Sequence, residues 1–277
     1  AWNLTEEQTE KIIDYSTKLA LALQTKGLIN IQYVISDEEI YVIEVNPRSS
    51  RTVPYLSKVT GVPMIDIATR IMLGETLENM GYTSGLYPNA NHVAVKVPVF
   101  SFEKLAGLDT SLGPEMKSTG EVLGIAPTLN EALYKGLLGA GYHFDSKGGV
   151  LITVRDTDKE EVIQIAKDFS TLGFHLYATE GTTNTLRENG LNVTMVHKIH
   201  ESEHNTISLL ESGKVNYIIS TTKKGRSPRL DSVKILRKSV ELGIPCLTSL
   251  DTAKALTRIL AMDYTPKKTS VIDISTL

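Results

Sequence analysis

The chain has 277 residues, 41% apolar and 22% charged, with a net charge of −3. Single cores stop growing near ~150–250 residues, so two domains are expected; the composition is that of a soluble globular protein, and without a basic block nothing points to nucleic acid or an anionic membrane. Cys246 is the one cysteine, which rules out a disulfide framework and suits a reducing, cytoplasmic setting; no apolar run reaches the ~20 residues of a membrane span, and no signal-peptide pattern is present.

The chain starts at Ala1 and enters a helix almost at once, the look of a piece of something longer, although removal of an initiator Met would look the same. Thr5-Glu6-Glu7-Gln8 is a capping box, and Ile12, Ile13, Leu19 and Leu23 continue it as an amphipathic helix that Gly27 is expected to stop. Leu28–Ile35 and Ile40–Val45, rich in β-branched and aromatic residues, read as a hairpin turning at Ser36-Asp37-Glu38-Glu39. A helix over Pro63–Leu73 follows, closed by Gly74. Residues 75 to 145 are less regular, with one strand at His92–Val99.

Beyond Gly148-Gly149 the rhythm changes. Strands are expected at Val150–Val154, His175–Ala178, Val193–Val196, Tyr217–Ser220 and Pro245–Thr248. Helical patterns alternate with them at Lys159–Leu172, after Gly181, at Thr206–Ser212, at Ser232–Leu242 and from Thr252. This alternation argues for a parallel sheet covered on both faces. The expected fold class is therefore α/β: an α+β first part over 1–143, then a doubly wound parallel α/β sandwich over 144–277.

In the strand Ile40–Asn46, simple alternation puts Ile40, Val42, Glu44 and Asn46 on one face, expected to be covered. A covered carboxylate needs a cation or donors. Folding the hairpin brings Gln32 opposite Ile43 or Glu44, for a turn of two or three residues. Gln32, Glu44 and Asn46 then offer three oxygens of the kind a hard cation takes, and Arg48 and Arg51 follow with guanidinium forks suited to phosphoryl groups. The plainer alternative is a structural ion pair of Glu44 with Arg48 or Arg51, leaving Gln32 exposed.

The segment EVNPRSSRTVPYLSKVTGVP resembles the E-x-N-P-R region of ATP-grasp ligases, and its RTVP…SKVTGVP extension is similar to carbamoyl phosphate synthetase large chains. LGPEMKSTGEVLG, at Leu112–Gly124, is a second segment of that kind. The resemblance covers essentially the whole chain, as the end of the second ATP-grasp half plus a regulatory tail. It implies Gln32, Glu44 and Asn46 as ligands of Mg²⁺ (or Mn²⁺) with ATP, Gln32 and Glu44 also serving as cofactor-binding residues. Arg48 and Arg51 would contact the phosphoryl group passed from ATP to carbamate. It also implies a small glutaminase subunit as partner and a role in pyrimidine or arginine biosynthesis, or both. The adenine-binding segment, glycine-rich loop and upstream basic residues of such a site have no counterpart here, and Cys246 in a core strand is no glutaminase nucleophile. The chain alone is therefore expected to lack synthetase activity.

In a parallel sheet, ligands gather at the carboxyl ends of strands, where helix N-termini meet anions. Thr179-Glu180-Gly181-Thr182-Thr183, Lys159, Lys198 and Thr222 are expected on that edge; the plain alternative is capping threonines and solvated lysines. ATEGTT with KIHE resembles the methylglyoxal-synthase-like domain that ends the same large chains. That implies allosteric binding of UMP, or of phosphoribosyl pyrophosphate, through Lys159, Thr179, Thr182, Lys198 and Thr222. Ser220 stands where some members have Asn. Ala94 stands where ornithine-activated members carry an acid, so ornithine is not the expected effector. Lys223–Arg229 reads as a loop with cations that could touch effector phosphate. His197, His200 and His204 straddle a strand end and a loop, and are read as structural rather than metal-binding. A lyase of the methylglyoxal synthase type would need a carboxylate base near the fourth strand, and Ser220–Gly225 supplies none. The rival reading of a different class is a nucleotide-sensing module without catalysis.

Overall fold

The computed structural model describes residues 4–100, 118–221 and 231–273. The chain forms two compact units, Ala1–Asn91 with Ile272–Leu277, and His92–Val271.

In the first unit the capping box forms as read: Gln8 N–H donates to Thr5 Oγ1 at 3.2 Å, and Thr5 N–H donates to Gln8 Oε1 at 3.1 Å. The helix α1 spans Glu6–Ala22. It ends before Gly27, because Gln24 itself turns left-handed (φ 49°) and Thr25 N–H reaches back to Ala20 O at 3.1 Å. The strands β1 (Asn30–Ser36) and β2 (Glu39–Asn46) pair antiparallel around Asp37-Glu38, whose φ values of 50° and 68° make a two-residue turn of the kind that matches strand twist. Ser16 Oγ lies 2.7 Å from Tyr33 OH, tying α1 to one face of this hairpin. Two short helices follow, α2 (Thr52–Thr60) and α3 (Met64–Met72), with Pro63 capping α3. The sequence reading missed α2: TVPYLSKVT is β-branched with a proline, but Pro54 lies in the first turn, where helix N–H groups lack partners anyway.

The second unit begins with β3 (Val93–Phe100) and β4 (Ser118–Ala126), an antiparallel pair covered by α4 (Leu129–Gly139). Of these only β3 was expected. Gly124 explains the contact: a Cβ there would stand 2.0 Å from Ala132 O and 2.6 Å from Gly136 N, so α4 lies directly on the strand. The described residues between 118 and 143 pack with the rest of this unit. The Tyr134 ring meets Phe144 and Tyr264 at 4.8 and 5.4 Å, and the buried Glu131 carboxylate accepts hydrogen bonds from Ser270 and pairs with Lys135 at 3.2 Å. The two compact units part at Asn91–His92.

The remainder is the expected strand–helix alternation. The strands are β5 (Gly149–Thr153), β6 (His175–Thr179), β7 (Val193–Val196), β8 (Tyr217–Ser220) and β9 (Cys246–Leu247). Between and after them run α5 (Lys159–Thr171), α6 (Glu180–Glu188), α7 (Thr206–Glu211), α8 (Asp231–Leu242) and α9 (Leu250–Ala261). All five strands are parallel, in the order β7-β6-β5-β8-β9. Alternation sorts their side chains. Val150, Ile152, Leu176, Ala178, Tyr217 and Ile219 form one core with α5, α6 and α9. Leu151 and Ile218 form the other with α7 and α8. Chain order runs outward from β5 through β6 to β7, then restarts beyond β5 at β8, so the reversal lies beside β5. Among the described residues no helix is long and apolar enough to cross a membrane.

Candidate functional site

Two clusters of the expected residues are built, one in each unit. In the hairpin, Ser36 pairs with Glu39 and Tyr33 with Val42, but Gln32 pairs with Glu44 because the register slips between Gln32 and Tyr33. Ile43 is the extra residue of a β-bulge. The two-residue turn alone would have set Gln32 opposite Ile43; the bulge sets it opposite Glu44.

The slip also changes faces. Tyr33 and Val42 share the side tied to α1, with Ile40 buried there. Beyond the bulge, Glu44 and Asn46 pair with Gln32 and Asn30, on the opposite side. The expectation that Glu44 shares a covered face with Ile40 and Val42 is therefore corrected: Glu44 and Gln32 are exposed, and Val42 is 41% exposed. Glu44 Oε1 accepts from Asn46 Nδ2 at 2.8 Å. The exposed carboxylate carries no burial cost that demands a cation. One carboxylate flanked by amide side chains on an open face still fits a hard cation, in donor type and in approach.

Past the strand, Arg48 N–H donates to Asn46 O at 2.8 Å, a tight turn about Pro47, and Arg48 Nη1 donates to Ser49 O at 3.0 Å. Arg51 takes the N-cap position of α2. Both arginines thus lie in the connection between β2 and the start of α2.

The second cluster lies on the carboxyl edge of the parallel sheet. The last row across β7, β6, β5 and β8 is Val196, Thr179, Thr153 and Ser220. Thr179 Oγ1 donates to Thr153 Oγ1 at 3.4 Å, not to its own helix: Thr179 is the N-cap of α6 but makes no side-chain cap bond. Thr182 and Thr183 are buried in the first turn of α6, and Thr183 Oγ1 donates to Ala178 O at 2.9 Å. Lys159 begins α5 with its side chain 25% exposed, and its Nζ pairs with Asp156 at 2.8 Å. The same Nζ would stand 3.0 Å from a Cβ on Gly181, so the ammonium lies against the first turn of α6. Lys198 follows β7, exposed, its N–H donating to Glu201 Oε2 at 2.8 Å. Ser220 ends β8 at 4% exposure. Thr222, the Lys223–Arg229 run and the start of the Leu112–Gly124 motif lie outside the described residues.

Sequence reasoning passed over two residues here. Thr221 N–H donates to Thr153 O at 3.1 Å, carrying the β5–β8 ladder one step further, and Thr221 Oγ1 accepts from Arg155 N–H at 3.2 Å. The buried Asp158 accepts from Arg155 Nε at 2.8 Å and from Thr157 Oγ1 at 3.0 Å. Burial pushes the Asp158 carboxyl up, yet these hydrogen bonds and the Arg155 charge outweigh it and hold it below the usual range. The usable signals were the Thr-Thr pair after a strand and the acid just before Lys159.

Elsewhere, His197 Nδ1 lies 3.9 Å from Glu201, and His200 Nε2 lies 3.8 Å from Asp231 and 3.3 Å from Lys234 Nζ. Among the described residues no three of His, Cys, Asp and Glu are grouped to hold a metal. Cys246 is in β9, where burial pushes its thiol up to about 12 despite a hydrogen bond with Ser239; a neutral thiol of this kind is a poor nucleophile.

Comparison with known families gives two matches. Residues 1–80 match the carbamoyl-phosphate synthase L chain, ATP binding domain. Residues 161–248 match the MGS-like domain. The first span contains Gln32, Glu44, Asn46, Arg48 and Arg51, and implies an ATP-utilising ligase as parent. The second contains Thr179, Thr182, Lys198, Ser220 and Thr222 and begins two residues after Lys159. Taken in this order, the two matches identify the chain with the C-terminal part of a carbamoyl phosphate synthetase large chain.

Proposed function

We propose that this chain supplies the Mg-ATP ligands for carbamate phosphorylation in a glutamine-dependent carbamoyl phosphate synthetase, and carries the allosteric site for a UMP-type effector. Gln32, Glu44 and Asn46 hold Mg²⁺ or Mn²⁺ with the ATP phosphates, and Arg48 and Arg51 steady the transferred phosphoryl group, where positioning and charge neutralisation do most of the catalysis. Lys159, Thr179, Thr182, Lys198, Ser220 and Thr222 take the effector phosphate. Partners on this reading are carbamate, ATP and a small glutaminase subunit, in a cytoplasmic enzyme of pyrimidine or arginine biosynthesis. The module boundary is near 143/144, whatever the packing of residues 92–143. Phosphoribosyl pyrophosphate, with the same phosphate chemistry, is the competing effector.

The observation that carries the effector half is the Lys159 ammonium held against Gly181 in the first turn of α6, beside threonine hydroxyls on the carboxyl edge. Calorimetric titration of the chain with UMP tests it. Micromolar binding lost in Lys198→Ala is expected; a folded sample that takes no UMP refutes it. For the catalytic half, the bulge alignment of Gln32 with Glu44 supports a ligand set, while synthetase activity is expected to be absent from the chain alone. ATP turnover with bicarbonate and ammonia above that of Glu44→Ala would overturn that expectation. Nucleotide sensing without catalysis is the second reading, favoured by effector residues that lie within one compact unit.

A further inference from the structure

The Lys159 ammonium lies against α6 and against a carboxylate. A Cβ on Gly181 would stand 3.0 Å from its Nζ and 3.7 Å from its Cε, so the end of the lysine rests on the first turn of α6. Thr182 in that turn is 1% exposed, and its hydroxyl has no hydrogen-bond partner among the described residues. The carboxylate is that of Asp156, whose Oδ1 lies 2.8 Å from the same Nζ. A short 3-10 turn, Asp156–Asp158, makes this pair. Side chains three apart eclipse in that geometry, and Lys159 closes the turn with its N–H on Asp156 O. The partners differ in exposure: 25% for the side chain of Lys159 and 80% for that of Asp156.

We infer that Asp156 is a built-in competitor for the phosphate of the ligand. Its carboxylate holds the Lys159 ammonium in the unliganded chain and gives way to an arriving phosphoryl group, so it sets the concentration at which the site fills. The inference rests on the effector-site reading above and adds a residue which that reading leaves out. Carboxylate and phosphoryl oxygens take the same N–H donors of an ammonium. A phosphate monoester carries close to two negative charges at neutral pH against one on the carboxylate, and so displaces it. The turn does not depend on Asp156 for its shape. Its neighbour Asp158, 8% exposed, fixes it by accepting from Arg155 Nε at 2.8 Å and from Thr157 Oγ1 at 3.0 Å, while Asp158 N–H donates to Arg155 O at 3.0 Å. The two acids of the turn thus divide their work. The buried one builds the turn, and the exposed one can swing into water at little cost, as exposed ion pairs are weak.

Calorimetric titration of the chain with UMP and, separately, with inorganic phosphate tests the competitor. Asp156→Asn removes the charge and keeps the size; about three- to fivefold tighter binding of both ligands is expected, the release of one exposed ion pair. Asp156→Ala should give the same gain, since the effect belongs to the carboxylate and not to its shape. Glu160→Gln is the control for net charge: Glu160 is exposed and adjoins Lys159 in the chain, and its loss should gain clearly less. Unchanged affinity in Asp156→Asn overturns the competitor and leaves the effector site standing. Weaker binding in that variant also overturns it, because Asp156 would then be aiming the lysine and not occupying it. An equal gain in Glu160→Gln overturns it too, by reducing the effect to the general field of the protein. Failure of the wild type and of Asp156→Asn to bind either ligand overturns the effector site and the competitor together.

Discussion

Replacing Gly124 by alanine places a methyl group where the structure has no room for one. The added Cβ would stand 2.0 Å from Ala132 O, 2.6 Å from Gly136 N and 2.9 Å from Gly136 Cα. All three are backbone atoms of α4, so no rotamer change relieves the contact. The helix must retreat by about 1 Å to give even a tight contact, and Gly136 already sits where its own Cβ would meet Val97 Cγ2 at 2.7 Å. Overpacking costs ~1–3 kcal/mol, and a rigid backbone clash belongs at the top of that range. For a unit of this size ~3 kcal/mol lowers the melting temperature by about 6–12 °C. Gly120 on the same strand is the internal control, because a Cβ there meets nothing within 4 Å among the described residues. Thermal unfolding followed by circular dichroism should show Gly124→Ala well below the wild type and Gly120→Ala level with it or slightly above. Equal melting temperatures for the two variants would refute the close-packing account of the STGEVLG segment.

Gly181→Ala should displace the Lys159 ammonium, 3.0 Å from the new methyl, and weaken UMP binding several-fold with little change in melting temperature; unchanged affinity would mean that the lysine adjusts freely. Burial pushes Tyr217 up to about 12, against one hydrogen bond from Asp145 N–H. Its folded pKa exceeds the ordinary value, so its contribution to stability is full below about pH 10 and is lost as pH rises toward 12. Burial also raises Tyr134, so absorbance titration should show a late component whose highest-pH part is lost in Tyr217→Phe; a titration identical in the variant would sink the assignment. Asp158 runs the other way: burial raises its pKa, but its hydrogen bonds with Thr221, Arg155 and Thr157 leave it depressed. Its contribution is present above the ordinary aspartate range and lost as pH falls through the folded value. Denaturant melts of Asp158→Asn should therefore lose part of the acid limb of the stability profile, and an unaltered limb would contradict this.

The parallel sheet was legible because Val150, Leu151 and Ile152, and likewise Tyr217, Ile218 and Ile219, are apolar on both faces, which only a doubly covered strand requires. Topology placed Lys159, Thr179, Thr182 and Lys198 on the carboxyl edge, while Ser220 entered only through the resemblance to the methylglyoxal-synthase-like domain. What escaped was coded by exceptions to propensity. The β4–α4 contact is made by Gly124 and Gly136, residues that lower strand and helix propensity yet permit the close approach. Helix α2 hid behind Pro54 and its β-branched neighbours. The faces of Glu44 and Asn46 were misread because alternation holds only until a bulge resets it, and nothing in IYVIEVN marks Ile43 as the extra residue. Thr221 was passed over because its hydrogen bonds with Thr153 and Arg155 are tertiary facts, visible only when two strand ends meet.

The bulge means that the hairpin carries one residue more than its ladder uses. In most strands a deletion is the harshest change, since it swaps inside for outside along everything that follows. Here, loss of Ile43 would leave a regular ladder with Tyr33 still against Val42 and Gln32 still against Glu44. Loss of Val42 would merely seat one aliphatic side chain in place of another. A deletion scan should find a gap of tolerance at these two positions, flanked by intolerant neighbours. Length variation there would alter the strand and spare the alignment of Gln32 with Glu44.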